Sequence, residues 1–165
     1  MNSLIPLSAV IPTFGRESVL LDTISMLLGQ YGPPQEILIV DQTPTHEPET
    51  SSQLAEWERA GAIRWIRLAE PSIPKAMNEG LRQATQPVVL FLDDDITASV
   101  RLVAEHAKAH AAAPDVQAFV GQVLQPGEIP QTVSYQGVRT GLWADLEFPF
   151  YSNQPTAISN VMAGN

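Results

Sequence analysis

Three consecutive carboxylates, Asp93, Asp94 and Asp95, follow directly on the apolar run 88–92 in the stretch VVLFLDDDIT. Adjacent carboxylates repel one another, so their placement at a strand end indicates that a cation or a cationic transition state is held there. Carboxylate oxygens suit Mg²⁺ or Mn²⁺, which keep several waters and bind one or two carboxylates together with substrate phosphates. The alternative is that some of the three only cap the loop or the helix that follows.

The same residues also resemble the Asp-x-Asp-x-Thr loop of haloacid-dehalogenase-like phosphatases. That resemblance implies Asp93 as nucleophile, Asp95 as acid–base and Thr97 as a phosphate contact. In that family the loop follows the first strand, and a long stretch behind it supplies a lysine and a second acidic pair. Here residues 98–165 contain Lys108 as their sole lysine and no pair of aspartates. The phosphatase is therefore the weaker hypothesis.

Composition limits the other classes of function. The 165 residues are 44% hydrophobic and 16% charged, which indicates one globular domain with a real core. The net charge of -9 offers no basic stripe to a nucleic acid. Without cysteine there is no disulfide, thiolate catalyst or cysteine-based zinc site. No signal peptide and no apolar run of about 20 residues is visible, so we expect a cytoplasmic protein without a transmembrane segment, with peripheral membrane contact left open.

Two histidines share a predicted helix. His106 and His110 are four residues apart, a spacing that can chelate a metal on one helix face. The only acid nearby, Glu105, points elsewhere on the helix. We therefore expect ordinary exposed helix histidines at these positions.

Apolar runs alternate with helical patterns along the chain and predict a parallel α/β sheet in a three-layer α/β/α sandwich. The predicted strands are LSAVIPTF, EILIVDQTP, AIRWIRL, PVVLFLD and VQAFVGQVL. Continuous apolar character in the fourth predicts burial on both faces. Ser72 and Pro74 predict the start of the helix before that strand. In such sheets ligands bind at the carboxyl ends of the strands, which here carry Thr13, Asp41, Arg67 and the aspartate triplet.

Three motifs in register carry a family resemblance. SAVIPTFGRESVLLDTI, EILIVDQTP and NEGLRQATQPVVLFLDDDI resemble the nucleotide-binding half of family 2 glycosyltransferases with the GT-A fold. The resemblance covers residues 7–124, with a weaker echo in the final NVMAGN. It implies an inverting transferase that moves a sugar from a nucleoside diphosphate sugar to an acceptor hydroxyl. A UDP-sugar is the expected donor, a saccharide or a lipid-linked molecule the expected acceptor, and Mn²⁺ or Mg²⁺ the cofactor bound at the DXD motif.

The resemblance also implies roles for individual residues. Asp41 accepts a hydrogen bond from the base, and Asp93 and Asp94 lie near the ribose and the metal. Asp95 is the principal metal ligand, helped by Asp93. The remaining expected donor-site contacts are Pro12, Thr13, Phe14 and Arg16 in the nucleotide pocket and Arg67 and Lys75 toward the diphosphate.

Departures from the family pattern shape the expectations further. Asp41 is followed by Gln42 rather than by a second acid, and Met77 stands where an arginine is common, which Lys75 is expected to offset. The late acids Asp145 and Glu147 have the wrong spacing for the catalytic base, so we expect that base beyond Asn165. The chain is then a truncated single domain, 1–165, with a donor half at 7–124 and the start of the acceptor side at 125–165, and it binds nucleotide with little transfer.

The aromatic region YQGVRTGLWADLEFPFY supports an alternative from another class. Trp143, Phe148, Phe150 and Tyr151 could form the interface of a non-catalytic binding module, although clustered aromatics more often form core. Apolar surface exposed by truncation would favour a homo-oligomer.

Overall fold

Four parallel strands and four helices alternate in the computed structural model, which describes residues 5–132 and 151–155. In chain order the elements are β1 (Leu7–Thr13), α1 (Ser18–Leu28), β2 (Glu36–Asp41), α2 (Pro48–Arg59), β3 (Arg64–Arg67), α3 (Ile73–Gln83), β4 (Val88–Phe91) and α4 (Leu102–Ala112). The sheet has the strand order β3-β2-β1-β4. The predicted α/β architecture with a parallel sheet is confirmed.

The two central strands are buried on both faces. In β1, alternate residues such as Leu7 and Ile11 enter one apolar cluster, while Val10 enters a second cluster on the opposite face. Leu20 and Ile24 of α1 join the first cluster, and the largest fully buried side chains come mainly from β1, β2 and α1. A nearly uninterrupted apolar sequence is what a strand covered on both faces requires.

Local signals in the sequence fix the helix ends. Ser72 accepts a hydrogen bond from the Lys75 backbone N–H at the start of α3, and a proline lies in that first turn, as predicted. Gly61, beyond α2, has a φ of 72°, a left-handed conformation that glycine adopts without steric cost.

The fourth strand and the predicted fifth strand differ from expectation. β4 is an edge strand of the described sheet. Its side chains pack against both apolar clusters, Leu90 against the first and Val89 and Phe91 against the second, but only Leu90 is fully buried, so the expected burial on both faces is incomplete. Residues 116–124 form no strand, and Val116 and Val123 are exposed. An apolar pattern does not reveal how many neighbouring strands are present to pair with a segment. A segment forms a strand only where a neighbour supplies hydrogen bonds to it.

His106 and His110 also differ from expectation, because both are half-buried on α4. Burial, followed by the nearby His110, lowers the pKa of His106. Within residues 5–132 and 151–155, no group of three or more acidic, histidine or cysteine side chains is arranged to hold a metal ion.

The chain divides between Pro114 and Asp115 into two compact units. The first contains the whole sheet. In the second, the Gln131 N–H donates to the Tyr151 carbonyl at 3.0 Å, and the Asn153 N–H donates to the Gln131 carbonyl at 2.9 Å.

No helix of the described residues is long and apolar enough to cross a membrane. The single-domain expectation remains a prediction. Asp145, Glu147, Trp143, Phe148, Phe150 and the final NVMAGN lie outside the described residues.

Gly80 marks a close approach of α3 to the sheet. A Cβ at this position would overlap Val10 Cγ1 of β1. We expect Gly80→Ala to destabilise the fold by about 1–3 kcal/mol, because overpacking outweighs the gain of about 1 kcal/mol in helix propensity. Urea unfolding measures the difference.

Gly29→Ala is the matched control for this substitution. At Gly29, which follows α1, a Cβ would meet only ordinary contacts at 3.5 and 3.7 Å. The two alanine variants should therefore differ clearly in unfolding midpoint. Equal midpoints would contradict close packing of α3 on β1.

Glu36 ties together the amino ends of the strands. One carboxylate oxygen accepts from the Ser8 hydroxyl and from the Thr85 backbone N–H, and the other accepts from Arg64 at 2.6 Å. Burial alone would raise the pKa of Glu36, but these hydrogen bonds outweigh burial and lower it. The ionised side chain therefore stabilises the fold.

We expect Glu36→Gln to lower the free energy of unfolding by about 1–3 kcal/mol at pH 7. Because the folded pKa lies below the ordinary value of 4.5, the stabilisation is present above that pH and is lost as the pH falls through the folded pKa. The gap between the unfolding free energies of wild type and variant should narrow on acidification. The exposed Glu56→Gln should show no such gap, and a pH-independent gap for Glu36→Gln would refute the ionic role.

Candidate functional site

The carboxyl ends of the strands meet at one edge of the sheet. Thr13 of β1 is the register partner of Asp41 of β2, and Asp41 is the partner of Arg67 in β3. On the other side of β1, Val10 is the partner of Phe91, so the aspartate triplet leaves β4 beside the end of β1. The parallel topology therefore brings together polar residues that are far apart in the sequence.

Two threonine hydroxyls anchor the acidic loop. Thr13 Oγ1 donates to Asp94 Oδ2 at 2.6 Å, and Thr23 Oγ1 of α1 donates to the Asp94 backbone carbonyl at 3.0 Å. Both threonines are buried. A short hydroxyl–carboxylate bond of this kind is charge-assisted and stronger than a neutral one. Asp94 is therefore held in place from two elements.

Arg16 joins the same cluster from the loop after β1. Its Nη2 lies 2.9 Å from Asp95 Oδ2 and its Nε lies 3.4 Å from Asp94 Oδ1. The guanidinium is about half exposed, so the pairs add little to stability. They do place one positive charge against the three negative ones.

The acidic triplet leaves an unfavourable electrostatic balance at Asp93. Burial, followed by repulsion from Asp95 and then Asp94, raises the pKa of Asp93. A cation beside Asp93 and Asp95 would relieve this repulsion. Two carboxylates fit Mg²⁺ or Mn²⁺, which take their other ligands from water and phosphate oxygens. The donor set therefore suits a metal that a phosphorylated ligand completes.

Asp41 is 1% exposed and is surrounded by protein donors. Its Oδ1 accepts from the Thr43 backbone N–H at 2.8 Å. Its Oδ2 accepts from Trp65 Nε1 at 2.8 Å and lies 2.8 Å from His46 Nε2. Direct contact of Asp41 with a nucleotide base remains a prediction, and in the described structure the carboxylate organises the loop after β2.

His46 and Glu17 are the site-adjacent residues that sequence reasoning missed. His46 Nδ1 lies 3.1 Å from Glu17 Oε1 at the start of α1. Burial would raise the pKa of Glu17, but hydrogen bonds involving Thr50 and His46 outweigh it and lower the pKa. His46 stands in the polar loop QTPTHEPE, where no periodicity signals that a side chain is buried.

The other expected donor-site residues divide into two groups. Pro12 is partly buried in β1, and Phe14, just beyond it, is 53% exposed at the edge that carries the acidic loop. Arg67 stacks over the Trp65 ring at 3.7 Å, and Lys75 pairs with Glu70 at 2.6 Å. In the described part of the chain, neither Arg67 nor Lys75 has a hydrogen bond or ion pair with the acidic loop.

Comparison with known proteins gives consistent results. Residues 8–158 match the family described as Glycosyl transferase family 2. The validoxylamine A glucosyltransferase of Streptomyces hygroscopicus subsp. limoneus is 26% identical over 117 residues, which are 70% of this chain and 26% of that protein. This chain therefore spans about a quarter of the length of that curated relative.

Solved structures resemble the fold. The mannosyltransferase PcManGT from Pyrobaculum calidifontis, in complex with GDP-Man and Mn²⁺, superposes with a TM-score of 0.57 at 20% identity, over 67% of this chain and 33% of that one. S. aureus TarS 1-349 in complex with UDP-GlcNAc gives 0.55 at 20% identity, over 84% and 38%. The fold is therefore of the GT-A type.

These matches do not favour the phosphatase or the non-catalytic module. The family match covers most of the sequence, including the three motifs in register and the acidic loop at the edge of the sheet. The chain belongs to glycosyl transferase family 2.

Proposed function

We propose that this chain carries the donor site of a glycosyltransferase that moves a sugar from a nucleoside diphosphate sugar to an acceptor hydroxyl. The observation that carries the proposal is the bond from Thr13 to Asp94, which fixes the acidic loop against the end of β1, where Asp41 also lies. Family membership supports the reaction class. Relatives in complex with UDP-GlcNAc and GDP-Man support a nucleotide sugar as the ligand, and we take a UDP-sugar as the first candidate.

The nucleotide occupies the edge between β1 and β2 in this proposal. Phe14 presents an exposed aromatic face that can stack on a base, and Pro12 forms the adjoining wall. Asp41 fixes the loop that frames the base. Arg16 adds a positive charge close to the diphosphate position, whereas Lys75 and Arg67 would have to leave their present partners to reach it.

Asp93 and Asp95 would hold a divalent cation, Mn²⁺ or Mg²⁺, and Asp94 serves as the anchor of their loop. When bound, such a cation would neutralise the charge that develops on the departing diphosphate. Burial together with repulsion within the triplet raises the pKa of Asp93, and this supports the assignment. A neighbour of the same fold in complex with Mn²⁺ also supports it.

The reaction we propose is a single inverting displacement. A base removes the proton of the acceptor hydroxyl, its oxygen bonds to the anomeric carbon, and the bond from that carbon to the diphosphate oxygen breaks. The electron pair stays on the leaving nucleoside diphosphate, so no covalent intermediate is required. We assign the base to none of the described residues. This chain therefore supplies donor binding and leaving-group stabilisation.

Nucleotide binding should require both the metal and the acidic loop. We expect UDP to bind in the presence of Mn²⁺. Its affinity should fall at least about tenfold in Asp95→Asn or Asp93→Asn, because each substitution removes a carboxylate that would hold the cation. Isothermal titration with UDP and GDP, with and without Mn²⁺, measures this.

Asp22→Asn is the control, since Asp22 is an exposed aspartate on α1. It should bind like wild type. Metal-independent binding, or equal affinities for wild type and Asp95→Asn, would count against the proposed site.

The Thr13 hydroxyl should matter separately from the shape of its side chain. Thr13→Val keeps the shape but leaves Asp94 without its 2.6 Å donor, so we expect a loss of about 1–3 kcal/mol in unfolding free energy and weaker UDP binding. Thr13→Ser retains the hydroxyl and should stay closer to wild type in both. If Thr13→Val matched Thr13→Ser in stability and affinity, the hydrogen bond from Thr13 to Asp94 would have no part in holding the acidic loop.

A further inference from the structure

His46 is buried between two carboxylates. Its side chain is 2% exposed, its Nε2 lies 2.8 Å from Asp41 Oδ2, and its Nδ1 lies 3.1 Å from Glu17 Oε1. An ionised carboxylate only accepts hydrogen bonds, and a neutral imidazole has a single N–H to donate. Both contacts are therefore full hydrogen bonds only when each ring nitrogen carries a hydrogen.

The two carboxylates belong to different loops of the proposed donor site. Asp41 ends β2 and begins the loop 42–47, while Glu17 ends the loop 14–17 that follows β1. The Gly15 N–H donates to Thr43 Oγ1 at 2.9 Å, and the Glu47 N–H donates to Glu17 Oε2 at 3.3 Å. The bridge through His46 is the buried member of this set of contacts, shielded from the water that weakens the others.

The loop held by this bridge also reaches the acidic triplet. Arg16 is the neighbour of Glu17 in the sequence and pairs with Asp94 and Asp95. A shift of Glu17 therefore moves the guanidinium relative to the acidic loop. The other end of the bridge is fixed by Trp65, whose indole N–H donates to the same Asp41 oxygen that His46 contacts.

We propose that His46 is a positioning residue of the donor site, which bridges Asp41 and Glu17 and thereby holds the loop 14–17 against the loop 42–47. The inference rests on the proposed function, since it assigns His46 to the same nucleotide site. His46 touches neither substrate nor metal in this assignment. It acts by keeping Phe14 and Arg16 in place relative to the loop that frames the base.

An ordinary buried histidine explains the arrangement less well. A core histidine needs one partner for its N–H, and its other nitrogen can accept from a donor. Here both nitrogens face acceptors, and in the described part of the chain the charged groups contacting the ring are Asp41 at the end of β2 and Glu17 just before α1. Trp65 of β3 packs beside it, with ring centroids 6.1 Å apart. Such a site suits a side chain that can donate a hydrogen bond from each of two nitrogens to two separate carboxylates.

The test compares UDP affinity in the presence of Mn²⁺ among His46→Gln, Glu17→Ala and the double variant. Alanine is used at position 17 because an amide there could donate to Nδ1 of a neutral His46 and keep the bridge. Each single variant removes one partner from the bridge and should weaken binding about tenfold. Once either contact is lost the other no longer joins the two loops, so the double variant should bind better than the product of the single effects requires.

His106→Gln is the matched control, because His106 is a half-buried histidine on α4. It should bind UDP like wild type. Affinity of His46→Gln equal to wild type overturns the inference, and so do strictly additive effects in the double variant. If His46→Gln fails to fold, Glu17→Ala carries the test, since it leaves the buried ring in place.

A spectroscopic readout separates this inference from the proposed function. The Trp65 indole N–H resonance, assigned with Trp65→Phe, reports on Asp41 Oδ2 without any nucleotide. It should shift in both His46→Gln and Glu17→Ala. If wild type binds no nucleotide, the proposed function fails, and a shifted resonance then shows a structural link only. If wild type binds and neither variant changes affinity or resonance, only the role of His46 is refuted.

Discussion

The parallel register of the sheet is the constraint on which the site depends. Thr13 and Asp41 end two adjacent central strands as register partners, and β4 delivers the acidic triplet on the other side of Thr13. Parallel strands place their carboxyl ends at one edge, so the topology of the sheet itself brings three short polar loops together. A slip of one residue in either pairing would turn the Thr13 hydroxyl away from Asp94 and separate the loops.

The two ends of the same sheet use carboxylates in opposite ways. At the amino end, Glu36 is surrounded by donors, and hydrogen bonds outweigh burial to lower its pKa. At the carboxyl end, burial and repulsion from its neighbours raise the pKa of Asp93. The first arrangement stabilises the fold, and the second costs free energy that the proposed cation would recover. Under the proposed function, stability and ligand binding are thus assigned to opposite edges of the sheet.

The sequence predicts the elements well because their signals are local. Apolar periodicity marks β1 and β2, and Ser72 with Pro74 marks the start of α3. Prediction from the sequence fails where the structure of a segment depends on its neighbours in the fold. The run 116–124 has strand character but pairs with no strand among the described residues, and β4 lies at the edge of the described sheet. In the site, the strand-end aspartates are visible in the sequence, whereas the burial of His46 is decided only when the loops after β1 and β2 meet.

The burial of Asp41 changes how its part in the donor site is understood. A carboxylate that is 1% exposed needs protein donors to offset its desolvation, and Asp41 has them from Thr43 and Trp65, with a further contact to His46. Asp41 thereby fixes three parts of the structure at once: its own loop, the indole of Trp65 in β3 and, through His46, the start of α1. In the proposed donor site, the loop that frames the base is thus held from behind by Asp41.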